Sequence, residues 1–399
     1  MTQSAVTNDP TEIAPTTVLN ELDRAVQHLA RNMPERVETP IQEDGFSSSL
    51  SESLSAFINA HYEIETTVGR VRAQPERMEA VTQIVNRVIG PNVILNLFLV
   101  SFLLKLDPKP DYLRVLIHLA SDGHLSLEEC HQVYWQIRHT LFASGETPNP
   151  ESFEMAYRFY LSLSDVWKRQ LGGHVGDWIA PRDRNPDNVV VLTNQLLSDL
   201  HAPSADAYQN VQVLRSLGKE VMLINTADLP SKMYVPFFHP SLSNYSSAAL
   251  SAHHIEYRAE RFPFHQCPQD MPTASAIISA VEIVRAKNPQ FVLSLGGSSP
   301  VADLCSLFTT VATIPFGGMM PIAASQILVV PRTIRDADHA LGKQLGFHDN
   351  ALMTVQYAFA PQRPEPALAR PALGIPDEAT ALCIVGTRFN QELTPAFLA

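Results

Sequence analysis

The chain has 399 residues, 29 of them Lys or Arg and 41 Asp or Glu, for a formal net charge of −12. A length of this order predicts two or three domains, and 45% hydrophobic residues is ordinary for a chain with a sizeable core. The acidic balance argues against nucleic-acid binding, which needs a basic face or stripe.

The charge is uneven: residues 1–187 hold 25 acidic and 16 basic side chains, residues 188–399 hold 16 and 13. Much of the excess precedes Arg70, in a stretch rich in Ser, Thr, Pro and Glu that lacks the apolar surface to offset its ordering entropy. Residues 1–48 are therefore expected to be an acidic, partly disordered region with one helix. Cys130, Cys267, Cys305 and Cys383 form no C-x-x-C pair, so free thiols in a reducing compartment are expected rather than a zinc ribbon or dithiol motif. The N-terminus shows no signal-peptide pattern. The most apolar run, Val93 to Leu104, falls short of the roughly 20 residues a spanning helix needs. These features predict a cytoplasmic protein without a transmembrane segment.

Helical periodicity dominates the first half. Val18, Leu19, Leu22, Val26 and Leu29 share one helical face, and helices are expected over Leu50–Tyr62, Glu76–Ile89, Val93–Leu106 and Tyr112–Ala120. Ser126 and Glu129 have capping-box spacing and open a helix that runs to about Phe142. A helix over Glu151–Leu163 follows the breakers Thr147 to Pro150, and Asp107-Pro-Lys-Pro-Asp111 parts two earlier ones. Together these predict an all-α unit over 49–170. The clustered glycines, prolines and charges of 171–187 read as a linker.

From Asn188 the period changes. Val189–Thr193 and Val221–Asn225 are short β-branched runs, the mark of strands buried on both faces. Between them Ser204 is placed to cap a helix that Gly218 closes, and such a unit crosses over right-handed into a parallel sheet. Further strands are expected at Ile255–Ala259, Phe291–Leu295, Val311–Ile314, Gln326–Val330 and Met353–Phe359. Helices capped by Thr273 and Ser299, and one over Asp336–Leu345, fall between them. The alternation predicts a doubly wound α/β domain over 188–360. A proline-rich crossing, 361–376, then leads to the strand run Ala381–Val385, so 377–399 are expected to be the truncated start of a second α/β unit.

In open α/β sheets, ligands bind beyond the carboxyl ends of the strands. Three loops there carry suitable residues: Ser198–Ser204, Gly296–Pro300 and Phe316–Pro321, the last with Gly317 and Gly318. Gly296 and Gly297 let the backbone approach a ligand, while Ser298 and Ser299 offer donors to an anion or a sugar hydroxyl. The same glycines also suit a tight turn. No Walker lysine or dinucleotide spacing is present, which argues against ATPase and NAD-dependent dehydrogenase chemistry. His201 is the candidate general base, with Asp199 or Asp206 to orient it; the plain alternative is a loop histidine bonded locally. His239, in Phe237-Phe-His-Pro240, sits in an aromatic loop that either closes over a substrate or simply packs. No H-E-x-x-H, G-x-S-x-G or EF-hand pattern occurs, and no metal is expected.

The segments VVVLTNQLLSDLHAPS (189–204), KEVMLINT (219–226), LGGSSPVAD (295–303) and IVGTRFNQELT (384–394) resemble bacterial glycosyltransferases of the GT-B type. The resemblance covers about 188–399. It implies two Rossmann-like domains face to face, behind an all-α domain, with the acceptor mainly on the first and the nucleotide-sugar mainly on the second. His201 would then be the base on the acceptor hydroxyl. Ser204, His239, Gly296, Gly297, Ser298, Gly317 and Gly318 would line the acceptor side, and Gly386 and Arg388 would begin the donor side. The nucleotide-sugar is a co-substrate and no cofactor is implied; the acceptor is a protein or a glycan. Because most of a donor domain is missing from the pattern, the chain is expected to be inactive alone and to need a partner chain that completes it. Two other readings stand beside this one. The chain is a non-catalytic scaffold for a complete transferase, or a small-molecule-binding α/β protein that holds an anion at Gly296–Ser299.

Overall fold

The computed structural model describes residues 15–36, 52–60, 75–143, 149–197, 201–230, 235–238, 240, 253–268, 271–355, 370–376 and 378. The expected strand at Ala381–Val385, with Cys383, lies outside these residues. The described part before residue 176 is helical: α1 (Pro15–Asn32), α2 (52–60), α3 (Pro75–Asn86), α4 (Val93–Leu106), α5 (Pro110–Ser121), α6 (Leu127–Ala143) and α7 (Pro150–Val175). α4 is buried on nearly every side, as its composition demands. Its two buried polar residues are satisfied: Asn96 donates to the Gly90 carbonyl at 2.7 Å, and Ser101 donates to the Phe98 carbonyl at 2.7 Å. The capping box at α6 forms as expected. The Glu129 amide donates to the Ser126 hydroxyl at 3.2 Å, and the Ser126 amide donates to the Glu129 carboxylate at 2.6 Å.

Residues 171–187, read as a linker, are regular structure at both ends: α7 runs on to Val175, and β1 begins at Asn185. Trp167, Leu171 and Val175 repeat every four residues on the buried face of α7. A Cβ on Gly172 would stand 3.2 Å from the Leu307 side chain, so that glycine serves close packing rather than a break.

The remaining elements are β1 (Asn185–Thr193), α8 (Ala202–Ser216), β2 (Glu220–Asn225), β3 (His254–Tyr257), β4 (Glu260–Gln266), α9 (Ala274–Lys287), β5 (Pro289–Leu295), α10 (Pro300–Cys305), β6 (Val311–Ile314), β7 (Ile327–Val330), α11 (Asp336–Gln344) and β8 (Leu352–Thr354). They give a mixed α/β fold with one eight-stranded sheet in the order β3-β4-β2-β1-β5-β6-β7-β8. Every pairing is parallel except β3 with β4. The chain steps outward from β1 to β2 and β4, then returns to lay β5 on the other side of β1. The strand order therefore reverses between β1 and β5.

Alternation along β1 divides the core. Val190 and Leu192 join α7, α9 and α10 on one face. Val191 joins α8 and the aromatic side chains of β3 and β4 on the other. A third cluster unites the helices before residue 164 with Val235, Phe237 and Phe238, and with Met320, Ile322, Leu328 and Val330. Phe238 meets Phe57, Phe98 and Phe102 edge to face at 5.0–5.8 Å. Of the two readings of this aromatic loop, closing over a substrate or simply packing, Phe237 and Phe238 follow the second, anchored in the helical core.

One strand expectation is corrected. Ile255–Tyr257 lie in β3 as expected, but Arg258 and Ala259, with φ of 51° and 65°, turn the chain into β4 and form a hairpin. Among the described residues, no helix is long and apolar enough to cross a membrane.

Candidate functional site

The parallel strands place their carboxyl ends on one edge, and the loops singled out from the sequence leave from it. Asn194 follows β1, Thr226 to Asp228 follow β2, Gly296 to Ser299 follow β5, and Phe316 to Gly318 follow β6.

His201 occupies the cap position of α8, and Ser204 lies in the first turn instead of capping it. The His201 Nδ1 is 3.0 Å from the Ser204 hydroxyl, which also accepts from the Leu197 amide at 2.8 Å. Ser204 is fully buried, so it ties both ends of this loop to the helix rather than facing a ligand. Burial holds the His201 imidazole below its ordinary pKa, in the neutral form that accepts a proton. Asp206 does not orient it. That carboxylate is engaged by Asn210 at 3.3 Å, and burial raises its pKa. Asp199 and His239 lie outside the described residues, as do Gly386 and Arg388.

Gly296, Gly297 and Ser298 have φ of 93°, 81° and 59°. Glycine is required at the first two positions for space as well as for φ. A Cβ would stand 2.5 Å from the Phe316 ring at Gly296 and 2.7 Å from the Ile322 carbonyl at Gly297. Ser298 is held in the left-handed region by partners on two sides. Its amide donates to the Ile322 carbonyl at 2.7 Å, and its hydroxyl meets the Tyr134 hydroxyl at 2.6 Å. Arg138 donates to that Tyr134 oxygen at 3.0 Å. The loop is therefore packed against the chain's own helix α6. Gly317 and Gly318 are exposed, a Cβ at either would meet nothing within 4 Å, and the Gly318 carbonyl accepts from Arg332.

Behind this loop lies a buried polar layer that the sequence did not single out. Asp228 accepts from the Thr226 hydroxyl at 2.8 Å through Oδ2, while Oδ1 has no partner. Burial pushes its carboxyl up to about 7, against a smaller downward pull from the hydroxyls of Ser299 and Thr226. The Ser299 pull falls short of a bond to Oδ1; Ser299 instead accepts from the Ala302 amide at 3.3 Å and caps α10. His131 of α6 faces the Asp228 backbone carbonyl, and burial pushes its imidazole down to about 4. Its Nδ1 has no partner, nor does Oδ1 of Asn194, whose Nδ2 donates to the Gly297 carbonyl at 3.2 Å. One layer deeper, Asp303 accepts from the Tyr160 hydroxyl at 2.5 Å and from the Ala324 amide at 3.2 Å. Its pKa is raised by burial, partly offset by Lys168. Asp228 was detectable, though not singled out, as a polar residue just past a strand. Tyr134 was not, because nothing local marks a contact 164 residues away.

Among the described residues no group of three or more His, Cys, Asp or Glu side chains is placed to hold a metal ion. Cys130, Cys267 and Cys305 are buried free thiols whose pKa values burial raises. No family model, curated protein or solved structure matches the chain.

Proposed function

We propose that this chain is the acceptor-side part of a GT-B-type glycosyltransferase, an all-α domain followed by a Rossmann-like one, transferring sugar from a nucleotide-sugar to a protein or glycan. The observation that carries the reading is His201: a neutral, half-buried imidazole in the loop after β1, on the edge where the strand order reverses. When Ser204 accepts from Nδ1–H, the lone pair rests on Nε2. Nε2 then takes the proton of the acceptor hydroxyl as its oxygen bonds to the anomeric carbon, and the bond to the diphosphate breaks with its electron pair. The charge left on the nucleoside diphosphate needs cationic or backbone donors, and Gly386 and Arg388 are the residues proposed to begin that side.

The test reconstitutes the purified chain with the partner chain that completes the donor side, supplies UDP- and GDP-sugars with mixed peptide and glycan acceptors, and reads glycosylated product by mass spectrometry. His201→Ala should lower transfer by about 10²–10⁴-fold, the ordinary worth of a general base. Transfer at the wild-type rate in that variant would remove His201 from the mechanism.

A second reading, the non-catalytic scaffold, is favoured by one contact: Tyr134 already occupies the Ser298 hydroxyl. On that reading His201→Ala leaves the activity of the reconstituted complex unchanged.

A further inference from the structure

Four side chains of one helix meet the segments that follow β2 and β5, on either side of the end of β1. Tyr134 bonds the Ser298 hydroxyl at 2.6 Å, and Arg138 reaches the same two oxygens at 3.0 and 3.5 Å. The Gln132 side-chain oxygen accepts from the Val235 amide at 2.9 Å, and His131 lies against the Asp228 backbone. All four are polar, whereas the neighbouring seam, where Trp167, Leu171 and Val175 of α7 meet α9 and α10, is apolar. Apolar packing gains nothing from water, but polar contacts exchange readily for solvent or for a ligand.

The closed arrangement also leaves potential unused. Asn194 Oδ1, His131 Nδ1 and Asp228 Oδ1 are buried without partners, each forgoing a hydrogen bond that an opened crevice would restore. These atoms belong to one neighbourhood. Asn194 holds Gly297, the residue before it accepts from Thr226, and Thr226 holds Asp228, beside which His131 lies. Ser298, a non-glycine residue at φ 59°, adds backbone strain to the same closed state.

We infer that the face of α6 bearing His131, Gln132, Tyr134 and Arg138 is a latch that holds the β1/β5 crevice shut, and that a ligand enters by exchanging these contacts for its own. The latch gives an autoinhibitory meaning to the proposed acceptor edge and rests on that reading only for its biological sense. The two ideas fail separately, since amide exchange reads the latch and product formation reads the transferase.

The experiment is hydrogen–deuterium exchange by mass spectrometry on the full chain. In the wild type, amides of 235–238 and 296–299 should exchange at least tenfold faster than those at the centres of β1 and β5, through a local opening. Tyr134→Phe should speed exchange of 235–238 and 296–299 by about tenfold, near the upper end of one hydrogen bond's net worth, and leave β1 and β5 within twofold. Ser298→Ala removes the same bond from the loop side, should give the same pattern, and serves if the tyrosine variant folds poorly. Equal protection of these loops and the β1 and β5 strands in the wild type would overturn the latch. So would variants that alter every amide alike, or none.

Discussion

Asp228 and His131 meet where α6 crosses the end of β2, and both are fully buried. Burial pushes the carboxyl up to about 7 from 3.8 and the imidazole down to about 4 from 6.5, so both are neutral in the fold at mildly acidic pH. Asp228 contributes stability that is fully present below its unfolded pKa and is lost as pH rises through about 7, because the fold keeps a proton the unfolded chain releases. His131 works in the opposite sense. Its contribution is present above pH 6.5 and is lost as pH falls through about 4, because the unfolded chain takes a proton the fold refuses. At about 1.36 kcal/mol per pH unit, the full spans are about 4 kcal/mol for Asp228 and about 3 kcal/mol for His131. Over the shared window they largely cancel in the wild type, and single variants expose them. Asp228→Asn should gain about 4 kcal/mol relative to wild type between about pH 4 and pH 8. His131→Gln should gain about 3 kcal/mol relative to wild type in the reverse direction, from about pH 7 down to about pH 4. Urea unfolding of the three proteins across this range measures both differences. If the pair were a buried ion pair, both signs would reverse, and Asp228→Asn losing ground against wild type as pH rises would refute the reasoning.

Three further outcomes follow from named contacts. Gly297→Ala places a Cβ 2.7 Å from the Ile322 carbonyl at a φ of 81°; it should cost about 2–4 kcal/mol in chemical denaturation, against less than about 1 kcal/mol for Gly318→Ala, which has open space. Tyr160→Phe removes the 2.5 Å bond to buried Asp303 and should lower stability by about 1.5–3 kcal/mol, read as a shift in the urea midpoint at constant slope. Arg332 forms a two-pronged pair with Asp338 at 2.6 and 2.8 Å and holds that carboxyl below its ordinary pKa. Arg332→Gln should therefore destabilise at neutral pH, and the deficit should shrink as pH falls through the carboxylate range, where wild type loses the same contribution.

The strands were legible where burial on both faces forces an unbroken apolar run. Val189–Thr193, Val221–Asn225, Phe291–Leu295 and Val311–Ile314 all lie within the observed β1, β2, β5 and β6. The β3–β4 hairpin hid because its turn uses Arg258 and Ala259 at positive φ without a Gly or Asn, and because Pro263 sits inside β4. The proline is tolerated because β4 pairs with β2 only from Phe264 onward. Gly172 and Gly173 suggested a break, yet the space that one of them leaves is what lets α7 continue against Leu307. At the candidate site, Gly296, Gly297 and His201 were legible from chemistry and loop position. Tyr134, His131 and Arg138 were not, because their role arises only when α6 is laid across the sheet edge, and a helix pattern records which face is buried but not against what.

Helix α7 has a consequence for how force and order travel through this molecule. Its 26 residues span about 39 Å. Tyr157, Tyr160 and Leu163 belong to the helical cluster, while Trp167, Leu171 and Val175 belong to the core on one face of the sheet. A rod embedded in both cores behaves as a shared axle. Twisting or melting one end is felt at the other, so the helices and the sheet should lose structure in one cooperative step rather than as two independent bodies.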